Sequence, residues 1–230
     1  MMEKPAKPGQ QVLVALRRMI ADGSIQPGDR IAEIPTAEML GVSRMPVRTA
    51  LRALEHEGLV VKLGARGYTP RAVDAAAITG AIEVRGVLEG LAARRLAERG
   101  LTEKEQAHLT AILADGDTLF AKGHLADGDL DGFYRYNLAF HDLLITASGN
   151  PSIALALGRN NHLPFASAAA LALDWEDLEG EYRHLLAAHH EHRAVFEAIA
   201  GGDADRAERL MRGHAAVAIA NRRAFRLLAG

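Results

Sequence analysis

Apolar positions recur at helical spacing almost from the start of the chain. Val12, Leu16, Met19 and Ile20 share one face of a helix predicted over 10–21; Gly23 stops it and Pro27-Gly28 turns the chain. A short helix follows over about 36–40, ended by Gly41. A longer one starts after Ser43 and runs to 57, ended by Gly58. Leu59-Val60-Val61 and Tyr68-Thr69-Pro70 flank a Gly64-Ala65-Arg66-Gly67 turn and predict a small β-hairpin. After Asp74 the pattern changes. Long helices are predicted over 75–99, 103–122, 130–148, 151–172, 175–200 and 204–228, punctuated by Gly100, Gly123, Gly149-Asn150-Pro151 and Gly201-Gly202. The fold class is therefore mainly α: an N-terminal winged helix-turn-helix over 1–74, then a C-terminal antiparallel all-α bundle of about six helices over 75–230.

The second helix of the front domain separates its faces cleanly. Val47, Leu51 and Leu54 form an apolar stripe; Arg44, Arg48 and Arg52, at i, i+4 and i+8, form a basic one beside it. In the link before it, Gly41 takes the turn, Val42 plugs the core and Ser43 is a good N-cap, while Pro46 falls in the first helical turn. Such a helix fits the major groove of duplex DNA, where Arg grips guanine edges or phosphates. Arg66 at the hairpin tip is placed to reach an adjacent minor groove or phosphate, with Gly67 letting the backbone come close. The competing reading is a solvated arginine face. The expected DNA-contacting set is Thr36, Ser43, Arg44, Arg48, Thr49, Arg52, Arg66 and Gly67.

Charge at first argues the other way. The 230 residues carry a net charge of −2, which as a whole-chain figure speaks against a polyanion partner. Split at Asp74 it divides: 11 Lys and Arg against 8 Asp and Glu before, a net +3; 16 against 21 after, a net −5. A hydrophobic share of 49% with 24% charged residues excludes disordered and fibrous classes. The N-terminus has no apolar stretch resembling a signal peptide, and the longest apolar-looking run, 165–173, is far shorter than a membrane helix needs. A cytoplasmic protein with no membrane partner is expected. Cysteine is absent, which removes disulfides, thiol nucleophiles and thiolate metal sites and leaves any metal to the 10 histidines.

Three of those histidines fall on apolar faces of three different predicted helices. His141 and Asn137 are i, i+4 among Phe133, Phe140 and Leu144; His192 is centred among Leu185, Ala188, Phe196 and Ile199; His214 among Ala207, Leu210 and Met211. Buried imidazoles without partners are costly, and a shared metal is one way to satisfy all three. His189, on the edge of the His192 stripe, is the rival ligand; the other histidines read as surface residues. Glu191 and Asp142 are expected to point away from the cluster. Arg85 lies inward on the stripe of Ile78, Ile82, Ala92 and Leu96. It reads equally as a clamp on a ligand carboxylate and as an ion pair with Glu89 one turn on. Tyr134 is near the same site.

The stretch Leu40-Gly41-Val42-Ser43-Arg44-Met45-Pro46-Val47-Arg48-Thr49-Ala50-Leu51, followed by Leu54-Glu55-His56-Glu57-Gly58-Leu59-Val60, resembles the signature of the GntR-type regulators. Thr36 stands where that family usually has a core leucine, Thr49 replaces a common glutamate, and Ile34 takes the place of an arginine. Asn137-Leu138-Ala139-Phe140-His141 with Ser148-Gly149-Asn150-Pro151, Glu191-His192 and Met211-x-x-His214 resemble the FadR-type ligand-binding (FCD) domain. The resemblance implies a divalent metal, Zn²⁺ or Ni²⁺, on Asn137, His141, His192 and His214, with Asn137 a neutral oxygen donor where Asp is commoner. It also implies a small organic acid effector beside the metal, at Arg85, Tyr134 and Asn137. The expected function is a homodimeric, ligand-responsive repressor on a pseudo-palindromic operator, and not an enzyme. The alternatives are a metal-sensing repressor and, more distantly, a metal-dependent hydrolase, for which no general base falls on the inner face.

Overall fold

The computed structural model describes residues 8–21, 23–72, 75–126, 128–161, 168 and 177–220. The head is built from α1 (Pro8–Ala21), α2 (Glu33–Met39), α3 (Arg44–His56), β1 (Val60–Lys62) and β2 (Tyr68–Pro70). Its core takes the expected faces: Val12, Leu16 and Ile20 from α1 pack on Val47, Ala50, Leu51 and Leu54 from α3. The strands pair antiparallel, Val60 with Pro70 and Lys62 with Tyr68, around a single 3₁₀ turn at Gly64–Arg66. Ile31 adds a bridge to Tyr68 through bonds of 2.7 and 2.9 Å, a third pairing that the sequence pattern did not predict.

α2 begins at Glu33, three residues before the predicted start. Pro35 is the third helical residue, where an N–H has no intrahelical acceptor and its loss costs nothing. The same helix turns Thr36 into the core.

The remaining elements are α4 (Ala75–Arg99), α5 (Glu103–Phe120), α6 (Asp129–Ala147), α7 (Pro151–Asn160), α8 (Leu178–Ala200) and α9 (Ala204–Ala220). The predicted 151–172 helix ends sooner, at Asn160 with a turn at Asn161; most of the rest of that prediction, and everything beyond 220, lies outside the described residues. Local chemistry fixes the starts. Thr102 and Glu105 form a reciprocal capping box for α5, and Asn150 caps α7 with Pro151 as its first residue. α4 and α9 share the most extensive contact, because small residues let the backbones approach. A Cβ on Gly90 would lie 2.6 Å from Arg212 Cγ, and one on Gly86 3.1 Å from Ala215 Cβ. Arg94 of α4 ties the same seam to Asp205 and Glu208 at 2.7 and 3.0 Å.

The two halves share a junction. Ile78 and Ile82 of α4 and Ala215 of α9 belong to the core of the head. Arg17 of α1 gives two bonds, 2.8 and 2.9 Å, to Glu57 at the C-cap of α3, and its guanidinium lies over the Tyr134 ring of α6 at 5.6 Å.

Candidate functional site

The head presents its basic stripe as the periodicity predicts. Arg44, Arg48 and Arg52 line a groove of about 590 Å³ together with Arg30, Lys62 and Arg66 of the wing. Arg30 Nε also donates to the Arg66 carbonyl, fixing the wing tip against the body. Arg44 and Arg48 are not merely solvated. Glu33 at the first turn of α2 takes Arg48 Nε and Nη2 on its two oxygens, both at 2.8 Å, and Arg44 Nη2 at 3.2 Å. The bond from Arg48, outweighing burial and reinforced by Arg44, holds the Glu33 carboxyl down at about 2.

The rest of the expected DNA-contacting set divides. Ser43 has the extended backbone of an N-cap and is exposed, but its hydroxyl makes no cap bond. Thr49 is exposed and donates to Met45 O at 3.0 Å. Thr36 is a correction: it is 6% exposed, so its side chain belongs to the core and not to the DNA face. Gly67 is required by the wing itself, since at φ +113° a Cβ would run into the Ile31 carbonyl where the two chains pair.

In the bundle, His141, His192 and His214 converge from α6, α8 and α9, each at most 8% exposed. One ring nitrogen of each falls within a sphere of contacts no wider than 4.8 Å. Hydrogen-bond donors decide which nitrogen. Asp117 can only accept, so His189 Nε2, 2.9 Å away, donates to it. Burial holds the His189 ring neutral against the opposing pull of Asp117, so its Nδ1 accepts from the Tyr136 hydroxyl at 2.8 Å. Tyr136 has one proton, so its oxygen accepts from His192 Nδ1, leaving His192 Nε2 a bare lone pair. His214 Nδ1 donates to Glu191 at 2.8 Å, which makes its Nε2 a lone pair as well. The two Nε2 atoms are 2.9 Å apart. His141 Nδ1 is 3.2 Å from buried Glu89 Oε2, an ion-pair distance without an aligned hydrogen bond.

Lone pairs at such a distance repel unless a cation lies between them, so the donor set fits a metal. Outer partners of this kind are what hold metal-ligating imidazoles. Burial, then the neighbouring imidazoles, push His192 well below its ordinary value; burial lowers His214 against the pull of Glu191. Neutral imidazole is the form that ligates. Asn137, 4% exposed, donates its Nδ2 to Ala168 O at 2.8 Å, so Oδ1 is the atom it can offer.

Arg85 and Glu89 are both buried. Arg85 Nη2 donates to Ala215 O at 3.3 Å, and its Nε lies 3.9 Å from Glu89 Oε2, too far for a hydrogen bond. Among the described residues, Arg85 Nε has no aligned acceptor. Burial would raise Glu89, but His141, Arg85 and His214 together hold it below its ordinary value. Tyr134 is placed at the junction with Arg17. Two expectations are corrected: Glu191 reaches His214 instead of pointing away, and His189 stands behind His192 as a partner of Tyr136, not as a ligand.

Residues 8–69 match the profile of bacterial regulatory proteins of the gntR family, and residues 81–217 match the FCD domain. The chain belongs to the GntR family of bacterial transcriptional regulators. It is 30% identical over 162 residues to the HTH-type transcriptional regulator YdhC of Bacillus subtilis (strain 168), covering 70% of each chain. It is 29% identical over 212 residues to LutR of the same organism, covering 85% of this chain and 92% of the relative. The solved structure of E. coli McbR/YncC has the same fold, with a TM-score of 0.58 at 21% identity over 94% of this chain and 96% of that one. GntR heads bind operator DNA and FCD domains bind small-molecule effectors. The matched families and relatives are transcriptional regulators, not enzymes. No helix among the described residues is long and apolar enough to cross a membrane.

Glu33, Tyr136, Asp117 and Glu191 are neighbours that spacing alone did not select. Each meets a residue on another helix or one turn away, and a periodicity plot ranks faces, not partners.

Proposed function

We propose that this GntR regulator is a repressor whose FCD domain binds a small carboxylate next to a divalent metal held by Asn137, His141, His192 and His214. The observation that carries the reading is the convergence of three buried imidazoles, two of which, His192 and His214, have Nδ1 committed to an outer partner and turn Nε2 toward each other. Nitrogen ligands with one neutral oxygen suit Zn²⁺ or Ni²⁺. A bound ion of this kind supplies a Lewis-acid anchor for a carboxylate oxygen. Arg85, buried with an unmatched Nε beside the cluster, supplies the matching cation. That unmatched donor favours an organic anion over the metal alone as the signal. A relative named "Probable D-xylose utilization operon transcriptional repressor" from Paenarthrobacter nicotinovorans, 28% identical over 197 residues, supports the sign of regulation. Arg44, Arg48, Arg52 and Arg66 read the operator, and two copies meet its two half-sites.

His192→Ala tests the metal. Elemental analysis of the purified chain is expected to find near-stoichiometric metal before the change and a large loss after it. Unaltered metal content would refute the assignment. A melting-temperature screen of small carboxylates, run with and without chelator, tests the effector, since a ligand that binds the folded state raises its stability.

A further inference from the structure

The groove of the head is lined by six cations, Arg30, Arg44, Arg48, Arg52, Lys62 and Arg66, and by one carboxylate among its lining residues, Glu33. On a face that meets phosphates, a carboxylate works against affinity. Its position at the first turn of α2 gains a little from the helix dipole, which any surface helix offers without engaging two DNA-facing arginines. What distinguishes Glu33 is which edge of Arg48 it holds. Both bonds go to the Nε–Nη2 side. The terminal edge, Nη1 with the outer proton of Nη2, is the one left directed away from Glu33. That edge is a fork of the right shape for guanine O6 and N7. A long side chain already fixed on one side loses less rotamer freedom when the other side binds. Arg44, on the same carboxylate oxygen, is steered beside it.

We infer that Glu33 is a positioning residue for operator reading: it clamps the side edge of Arg48 so that the terminal edge addresses a guanine in the major groove. It thereby lowers affinity for arbitrary DNA and raises discrimination. The inference rests on α3 as the DNA-facing helix of a GntR head. Two other roles are separable from it. A carboxylate that only opposes phosphates would weaken all duplexes alike. A carboxylate that only competes with DNA for the arginines would do the same.

The test uses the full chain and two probes: a duplex enriched from a random pool by the unaltered protein, and a random-sequence duplex of equal length. Binding is followed by fluorescence anisotropy at several salt concentrations. Glu33→Gln keeps the size and removes the charge; Glu33→Ala removes the clamp. Both lie at a partly exposed position, so folding is expected to persist, as a melting curve checks. Affinity for the random duplex is expected to rise several-fold, and the ratio of enriched to random affinity to fall by about 10-fold, within the ~5–150-fold that one bidentate base contact contributes. Replacing individual guanines of the enriched duplex by 7-deazaguanine should weaken the unaltered chain at one guanine per half-site and leave Glu33→Ala indifferent there. Equal gains on both duplexes, or an unchanged response to 7-deazaguanine, would overturn the positioning role while leaving the DNA-reading assignment intact. Failure of the unaltered chain to enrich any duplex would overturn both.

Discussion

His192 has one nitrogen to offer, and three residues decide which. Asp117, His189 and Tyr136 pass a fixed donor order to its Nδ1, and Glu191 does the same for His214. Tyr136→Phe removes the acceptor of His192 Nδ1 and the donor to His189 in one step. Zinc affinity, measured by competition with a chromophoric chelator, is expected to fall about 10–100-fold, the usual cost of losing an outer partner. Glu191→Gln should cost less, because Glu191 is partly exposed and water can replace it. Equal zinc affinity in Tyr136→Phe would show that the tautomer is set elsewhere. At this scale the sequence was legible wherever burial alone chooses the residue. His141, His192 and His214 could be picked out because each is centred on an apolar stripe. Tyr136 could not, since its stripe is as apolar as Phe133 and Phe140 and the hydroxyl's partners come from α8. Thr36 was misplaced for the complementary reason: a threonine on a short helix fits either face, and only the true start of α2 fixes which one it takes.

α4 has three faces, and periodicity separates them only in part. Ile78, Arg85, Glu89, Ala92 and Leu96 turn inward; Gly86, Gly90, Ala93 and Ala97 meet or flank α9. Val84, Val87 and Leu91, at i, i+3 and i+7, form an exposed apolar stripe, and Leu155 of the adjoining α7 is 62% exposed. A helix that is apolar nearly all round is one that expects a neighbour on every side. The proposed two-fold operator would call for two heads, so a second copy of this chain is the occupant expected on that stripe. Val87→Glu is expected to shift the chain from dimer to monomer in light scattering at micromolar concentration, with a melting transition still present. An unshifted mass would place the dimer contact elsewhere. The lengths of α3, α4, α5, α6 and α8 were legible to within a few residues because capping residues, glycines and prolines mark their ends. The end of α7 was missed although Gly158, Asn160-Asn161 and Pro164 signal it, because the Ala- and Leu-rich stretch beyond Pro164 continues a helical pattern.

At the scale of the whole molecule, the charge split predicted a reader and a sensor but not where they touch. The structure places that contact on two helices that also carry the histidines. Ala215, next to His214 on α9, is packed in the head's core, and its carbonyl accepts from Arg85. Tyr134, one turn before Asn137 on α6, lies under Arg17, which grips Glu57 at the C-terminal end of the DNA-facing helix. These residues are far apart in sequence, and nothing in their local pattern links them. A change of position of α6 on ligation therefore has a direct mechanical route to α3. Removing Arg17 is the wrong test, because it would strand Glu57 as a buried unpaired charge at a cost of ~3–5 kcal/mol. Tyr134→Leu keeps the apolar contact and removes the ring face, worth ~0.5–2 kcal/mol to a cation. Zinc affinity should stay within about twofold, because Tyr134 is not a ligand. The ratio of DNA affinities measured with zinc and with chelator should fall several-fold toward one, since couplings of this type amount to ~1–3 kcal/mol. If that ratio is the same in both proteins, the signal does not run through Tyr134, and α4 and α9, which pack Ile78, Ile82 and Ala215 into the head's core, are left as the links between the histidines and the head.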